Sequence, residues 1–150
     1  FQLPTNAPTG PLLCTGDNDG MVRLWDVRIC NDAGDNSSSS MSTAAAADST
    51  IIPKGCIAQW PSTHSDFISD FDCDANGTSL LATSGDCSLS VLDVRKAKHY
   101  IKKGKEDNDR YVIGQSADQH DELLSMVVMK NDKKVVCGTQ EGMLSIFSWN

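Results

Sequence analysis

The run Leu12-Leu13-Cys14-Thr15-Gly16-Asp17-Asn18-Asp19-Gly20-Met21-Val22-Arg23-Leu24-Trp25-Asp26-Val27-Arg28 returns twice later in the chain, which restricts the fold to a repeat architecture. Aligned on the turn acid, the second copy runs from Leu80 through Asp86 to Asp93 and Arg95, and the third from Val135 through Glu141 to Phe147. Each copy has an apolar strand ending in small residues, then a tight turn carrying Asp19, Asp86 or Glu141. A second strand follows that alternates apolar and polar positions and ends on an aromatic or apolar residue and a polar stop.

The turn acids lie 67 and then 55 residues apart, so insertions fill both gaps. The first holds Asp35-Asn36-Ser37-Ser38-Ser39-Ser40-Met41-Ser42-Thr43-Ala44-Ala45-Ala46-Ala47-Asp48, which has almost nothing to bury and is expected to be a disordered loop. A poly-Ala helix is the rival reading, set aside because so short an isolated helix is marginal in water. The second holds the polar stretch from Lys102 to Asp118, read as an outer loop. A His precedes an apolar strand in two places, His64 before Phe67-Ile68-Ser69-Asp70-Phe71 and His120 before Leu123-Leu124-Ser125-Met126-Val127-Val128-Met129. These His residues stand 22 and 21 positions ahead of Asp86 and Glu141, room for a strand, a turn and a second strand. Ala75-Asn76-Gly77 is expected to form the first hairpin turn, because Asn-Gly supplies the positive φ of a two-residue turn; Lys130-Asn131-Asp132-Lys133 takes its place later.

These residues resemble the WD-repeat family of β-propellers, whose blades are four-stranded antiparallel sheets entered by a His and left by a Trp-Asp. The resemblance implies an all-β chain that is a fragment of a WD-repeat β-propeller, about two and a half to three blades, since closed propellers have at least four. The expected units are a partial blade at 1–62 with the disordered insertion at about 29–53, a complete blade at 63–104, and a third blade at 105–150. The first is expected to lack a convincing innermost strand before Leu12, and the third to lack its outer strand and to follow a charged loop. Three stretches narrow the likeness: His64-Ser65-Asp66-Phe67-Ile68-Ser69-Asp70, the run from Met129 to Gly142 with its Glu-Gly turn, and the ending Phe147-Ser148-Trp149-Asn150. They are similar to the WD repeat-containing protein 55 branch of the family. That likeness implies a non-catalytic scaffold for protein–protein interaction in nucleolar ribosome biogenesis and pre-rRNA processing. Its expected partners are pre-ribosomal proteins and its expected location the nucleus and nucleolus, with the cytoplasm as a further site.

Nowhere does an apolar run approach 18 residues, which excludes a spanning helix. The six cysteines form no C-x-x-C pair and several fall on predicted strands, as reduced buried thiols of an intracellular protein do; no zinc site and no cofactor are expected. Charge is uneven: residues 1–94 carry 3 basic and 12 acidic side chains, residues 95–150 carry 10 and 8. Lys96, Lys98, Lys102, Lys103 and Lys105 cluster with Arg95 around Tyr100, on what the pattern makes the outer strand of the middle blade and the loop after it. Such a patch can neutralise RNA phosphates or an acidic partner, or it can be a solvated edge that lysines protect from strand pairing. The bland reading is preferred, because acidic residues follow at once and no aromatic platform accompanies the lysines.

His64, Ser84 and Asp86 are the residue types of a hydrolytic triad. In the family such residues form a buried network with a Trp, and here Leu92 stands at the Trp position, leaving the network one member short. His120, Thr139 and Glu141 are the corresponding set in the third blade. No phosphate loop, paired-carboxylate cleft or nucleophile elbow accompanies them, so no enzyme is expected. The competing functional reading rests on Asp19, Trp25, Asp26 and Arg28, which resemble the box by which WD proteins dock on the adaptor of cullin-4 ubiquitin ligases as substrate receptors. In that reading Trp25 is buried, and Arg28 presents a solvent-facing fork that packing does not need.

Overall fold

A computed structural model describes residues 1–4, 11–30, 53–61, 63–96, 112–129 and 133–149. The described residues form three antiparallel sheets. The first orders β1 (Leu12–Gly16), β2 (Val22–Asp26) and β3 (Cys56–Trp60). The second has four strands, β4 (Ile68–Cys73), β5 (Ser79–Ser84), β6 (Leu89–Asp93) and β7 (Val112–Gln115). The third orders β8 (Leu123–Met129), β9 (Lys134–Thr139) and β10 (Leu144–Ser148). The repeat registers agree: Leu12 pairs with Asp26, Ser79 with Asp93 and Lys134 with Ser148. This is the layout expected of consecutive propeller blades, and the described residues are all-β apart from the short turns Val27–Cys30 and Val94–Lys96.

Three details depart from the sequence expectation. The outer strand of the middle sheet is β7, so that sheet extends to Gln115 instead of ending near residue 104, and Val94–Lys96 is a 3-10 turn. The pattern around Arg95 to Lys105 carries charge without the apolar alternation that a covered strand needs, whereas Val112-Ile113-Gly114 has it. Secondly, residues Phe1–Leu3 run beside β1 in the innermost position: Leu3 N–H donates to Leu12 O at 3.0 Å, Cys14 N–H to Phe1 O at 2.7 Å, and Gln2 bridges Leu13. Thirdly, Asn76-Gly77 is not a two-residue turn. Gly77 alone takes positive φ (64°), and its N–H donates to Asp74 O, closing a turn centred on Ala75-Asn76. The Asp74 carboxylate then accepts from the Thr78 and Ser79 amides, which outweighs the Asn-Gly preference. The Ser/Ala-rich insertion at 31–52, the charged segment 97–111 and the turn residues 130–132 lie outside the described residues.

Two apolar layers hold the sheets together. Leu12, Val22, Leu24, Ile57 and Trp60 of the first sheet pack with Leu80, Ala82, Leu92 and Val94 of the second. Leu81, Leu89 and Val91 on the second sheet's opposite face pack with Leu123, Val128, Val135 and Cys137 of the third. Carboxylates of β4 add polar clips: Met126 N–H donates to Asp70 Oδ2 and Val128 N–H to Asp72 Oδ2, both at 2.8 Å, while Ser69 Oγ donates to the Leu123 carbonyl. At the β1–β2 turn the entry loop of the middle sheet lies so close that a Cβ on Gly20 (φ 76°) would stand 2.3 Å from the His64 carbonyl oxygen. Only glycine fits there. None of the helices among the described residues is long and apolar enough to cross a membrane.

Candidate functional site

His64 ends its loop with its side chain sealed from solvent, because the alternation of β6 puts Ser88 and Ser90 on one face beneath it. The Asp86 carboxylate lies 3.1 and 3.0 Å from Nδ1, and Ser90 Oγ lies 2.9 Å from Nε2. A carboxylate only accepts, so Nδ1 carries the proton and Nε2 accepts from Ser90. Asp86 also takes Ser88 Oγ (2.7 Å), the Ser88 amide (3.0 Å) and the Ser65 amide (2.9 Å), tying entry loop to turn. Gln115 on β7 closes the ring, donating through Nε2 to Ser88 Oγ and to the Thr63 carbonyl. Burial pushes the His64 pKa below its ordinary value despite the neighbouring carboxylate. Burial works against the charged form of Asp86, but hydrogen bonds from Ser88, the Ser65 amide and His64 prevail and lower its pKa. The ring is a neutral imidazole on an ionised carboxylate.

Ser84 is not a partner of His64. Its hydroxyl donates to the Asp66 carbonyl at 3.0 Å and accepts from the Asp86 amide at 3.1 Å, so it braces the turn. The place left open by Leu92 is filled from the same strand by Ser90, and Ser88, Ser90 and Gln115 are members that the repeat alignment missed. The alternation Ser88-Leu89-Ser90 after the turn acid was the available signal.

The third sheet reverses this polarity. His120 is exposed, and Asp121 takes over: its Oδ2 accepts from the Glu141 amide at 2.7 Å, and Thr139 is a further hydrogen-bond partner that, with the amides, lowers its pKa. In the middle sheet the turn acid accepts from the loop; in the third the loop acid accepts from the turn. The Glu141 side chain is exposed and no longer needed for the tie.

The four residues of the ligase-type box are not brought together. Asp19 sits in the β1–β2 turn, where it rims a polar depression of about 500 Å³ with His64, Asp86 and Asp118. Arg28 lies past the opposite end of β2, a separation of roughly 20 Å at the usual rise per strand residue. Trp25 is half-buried, not buried, with Nε1–H donating to Thr15 Oγ1 at 2.9 Å. Arg28 is engaged in the fold: Nε donates to Asp26 Oδ1 at 2.8 Å and Nη2 to Oδ2 at 2.6 Å, against a carboxylate that is buried, while 56% of the Arg28 side chain remains exposed. Arg95 repeats the same bidentate pairing on Asp93, at 3.1 and 3.0 Å, in a blade without the Trp. The Asp-x-Arg bracket is thus a repeated device that neutralises a buried acid at the end of the third strand of a blade. Of the basic patch, Lys96 ends the 3-10 turn, and Lys98, Lys102, Lys103 and Lys105 lie outside the described residues. Among the described residues no group of three or more His, Cys, Asp or Glu side chains could hold a metal ion. Cys14, Cys56, Cys73 and Cys137 are buried thiols outside any disulfide, and burial raises the Cys137 pKa to about 11.

No protein-family model matches the chain. Over 137 residues it is 36% identical to WD repeat-containing protein JIP5 of Laccaria bicolor, covering 91% of this chain and 24% of that protein. It is 32% identical over 141 residues to WD repeat-containing protein 55 of Arabidopsis thaliana, covering 94% and 29%. Against WD repeat-containing protein 55 of Rattus norvegicus the identity is 27% over 139 residues, 93% and 26% of the two chains. The chain therefore spans about a quarter of the length of the curated relatives it matches. With three sheets in one register and likenesses that cover nine-tenths of its length, the chain belongs to the WD-repeat family.

Proposed function

We propose that the chain is part of a non-catalytic WD-repeat scaffold that holds proteins together during nucleolar ribosome assembly and pre-rRNA processing. The observation that carries the scaffold reading is the fate of the triad-like residues. Both nitrogens of His64 are occupied from within the fold, and the Ser84 hydroxyl is spent on Asp66 and Asp86. Residue types that elsewhere perform acyl transfer here fasten loop to strand, and a rigid frame of satisfied polar groups suits a docking platform. The ribosomal assignment extends the likeness of the Glu141-Gly142 turn and the Phe147-Ser148-Trp149-Asn150 ending to WD repeat-containing protein 55, and the nuclear and nucleolar location goes with it.

Affinity purification of the full-length parent, with precursor-rRNA levels measured after its depletion, tests the reading. Pre-ribosomal proteins should dominate the eluate and processing intermediates should accumulate. Recovery of a cullin-4 ligase adaptor in their place would move the assignment to a substrate receptor docking through the Asp26–Arg28 end of the first blade.

A further inference from the structure

The strand registers assign the turns of the chain to two ends. Asp26, Asp93 and Ser148 close the third strands opposite Leu12, Ser79 and Lys134, and the outer strands begin beside them, Cys56 against Trp25 and Val112 against Leu92. The turns 74–78 and 130–133 and the connections 27–55 and 94–111 therefore leave from and return to one end of the sheets. Of the 13 Lys and Arg in the sequence, all but Arg23 belong to these stretches or, as Lys134 does, to the strand residue that adjoins one. The opposite end, with the turns 17–21, 85–88 and 140–143 and the loops 61–67 and 116–122, has no Lys or Arg and carries Asp17, Asp19, Asp66, Asp118, Asp121 and Glu122. A surface that needs only solubility intersperses the two signs, whereas a face of one sign steers a charged partner.

Acids described at the cationic end are spent inside the fold. Asp26 and Asp93 are buried under the guanidinium groups of Arg28 and Arg95, whose side chains stay 56% and 62% exposed. Asp74 accepts from the Thr78 hydroxyl and from the Thr78 and Ser79 amides. Lys54, Lys133 and Lys134 are exposed. A fork already locked on a carboxylate loses little further freedom when it meets another acceptor. The turn 74–78 and Lys133 carry no side chain more apolar than Ala75, so these turns offer no aromatic or aliphatic anchor of the kind that dominates protein interfaces. Contacts with a nucleic-acid backbone need only cations and small polar groups.

We infer that the end of the sheets bearing Arg95, Lys133 and Lys134 is a docking surface for the phosphodiester backbone of single-stranded RNA. Arg28 and Lys54 extend the same cationic end across the first sheet. The inference rests on the pre-rRNA reading proposed above, which supplies RNA as the polyanion. Bases are not read: the contact is with phosphate, so affinity is independent of sequence and falls steeply with salt.

A labelled oligo-uridine of about 20 nucleotides, titrated with the full-length parent over a salt series and followed by fluorescence anisotropy, is the probe. Lys54→Ala, Lys133→Asn and Lys134→Ala are combined; Asn is chosen at 133 because it tolerates the positive φ of 48° found there. The triple variant should bind at least about tenfold more weakly at about 0.1 M salt, and the slope of log affinity against log salt should shrink by about 2, since each lost phosphate contact removes about 0.7. Lys134→Ala alone should remove about 0.7 of that slope, which keeps the test open if the triple variant melts early. Asp19→Asn with Asp118→Asn, at the opposite end, should leave affinity within about twofold, because exposed charges more than a Debye length away are screened. Binding by the lysine variants equal to wild type, an equal response to changes at the two ends, or displacement of the RNA by oligo-glutamate as readily as by unlabelled RNA overturns the inference. Unchanged binding by the variants beside a precursor-rRNA defect on depletion would sink this surface and leave the scaffold reading standing. Lysine-dependent binding without pre-ribosomal proteins in the eluate would remove that reading and leave the surface.

Discussion

Gly20, Cys87 and Gly142 occupy one position in the three turns, and all three adopt positive φ, 76°, 67° and 81°. Cys87 alone carries a side chain there, so the middle turn stores left-handed strain that its neighbours avoid. Cys87→Gly should therefore stabilise the fold by about 0.5–1 kcal/mol, the strain relieved outweighing the backbone entropy of glycine; an unchanged or lowered urea midpoint would refute the strain. At the same turn His64 and Asp86 both have folded pKa values below their unfolded ones, so the folded state holds fewer protons than the unfolded state on either group. Stability should thus decline as pH falls below the ordinary His value of 6.5. The Asp86 contribution, present above 3.8, is lost as pH falls through its lowered value. Comparing melting midpoints between pH about 7.5 and 5 should show a steeper loss for the wild type than for His64→Asn, and parallel slopes would remove His64 from the account. At this scale the tie of His64 to Asp86 was readable from the sequence, whereas His120 and Glu141, expected in the same roles, are exposed and Asp121 makes the tie in the third sheet. The serines of β6 were not readable, because a serine in a strand looks the same whether it meets water or an imidazole.

Between elements, the inner strands β4 and β8 meet without sharing a backbone ladder, and Asp70 and Asp72 provide the bonds that a ladder would. Replacing both by Ala leaves the Met126 and Val128 amides without these acceptors and should cost about 1–3 kcal/mol, read as a lower urea midpoint. Asn at both positions should recover part of the loss, since its amide oxygen still accepts; no difference between the Ala and Asn variants would mean that the clips contribute nothing. The strand-turn-strand core of each repeat was legible because Val22, Leu89 and Leu144 recur in step. The outer strand was not, since Cys56 to Gln59 and Val112 to Gln115 stand 30 and 19 residues beyond Asp26 and Asp93, measured from each Asp to the first residue of its strand, and no period carries across insertions of unequal length. Likewise Arg28 looked like a surface fork, because spacing alone does not reveal that Asp26 is buried and takes its guanidinium. Arg28→Ala should lower the melting midpoint more in the native background than beside Asp26→Asn, and equal losses would deny the ion pair a structural role.

Across the molecule, register equivalence gives each sheet a forward and a backward face. Val22 and Leu24 look forward into the second sheet, and Leu89 and Val91 forward into the third. Leu144 and Ile146 occupy the same places on β10 and are 73% and 68% exposed. On the opposite side Leu80, Leu92 and Val94 receive the first sheet, and their equivalents in the first sheet, Leu13, Trp25 and Val27, are partly or largely exposed. The 150-residue chain thus presents both halves of an interface that it uses twice internally, and two such faces on different copies are complementary without being identical. Self-association in a head-to-tail sense should follow, rising with concentration because apolar area of this kind drives it. In sedimentation velocity, Leu144→Glu with Ile146→Glu should shift the chain to monomer, and Leu13→Glu with Val27→Glu should do the same from the other side. A one-to-one mixture of the two variants should recover a dimer, since each keeps the face the other has lost. A wild-type chain that stays monomeric at every concentration would show that these faces do not attract, and a mixture that remains monomeric would show that any association pairs like with like.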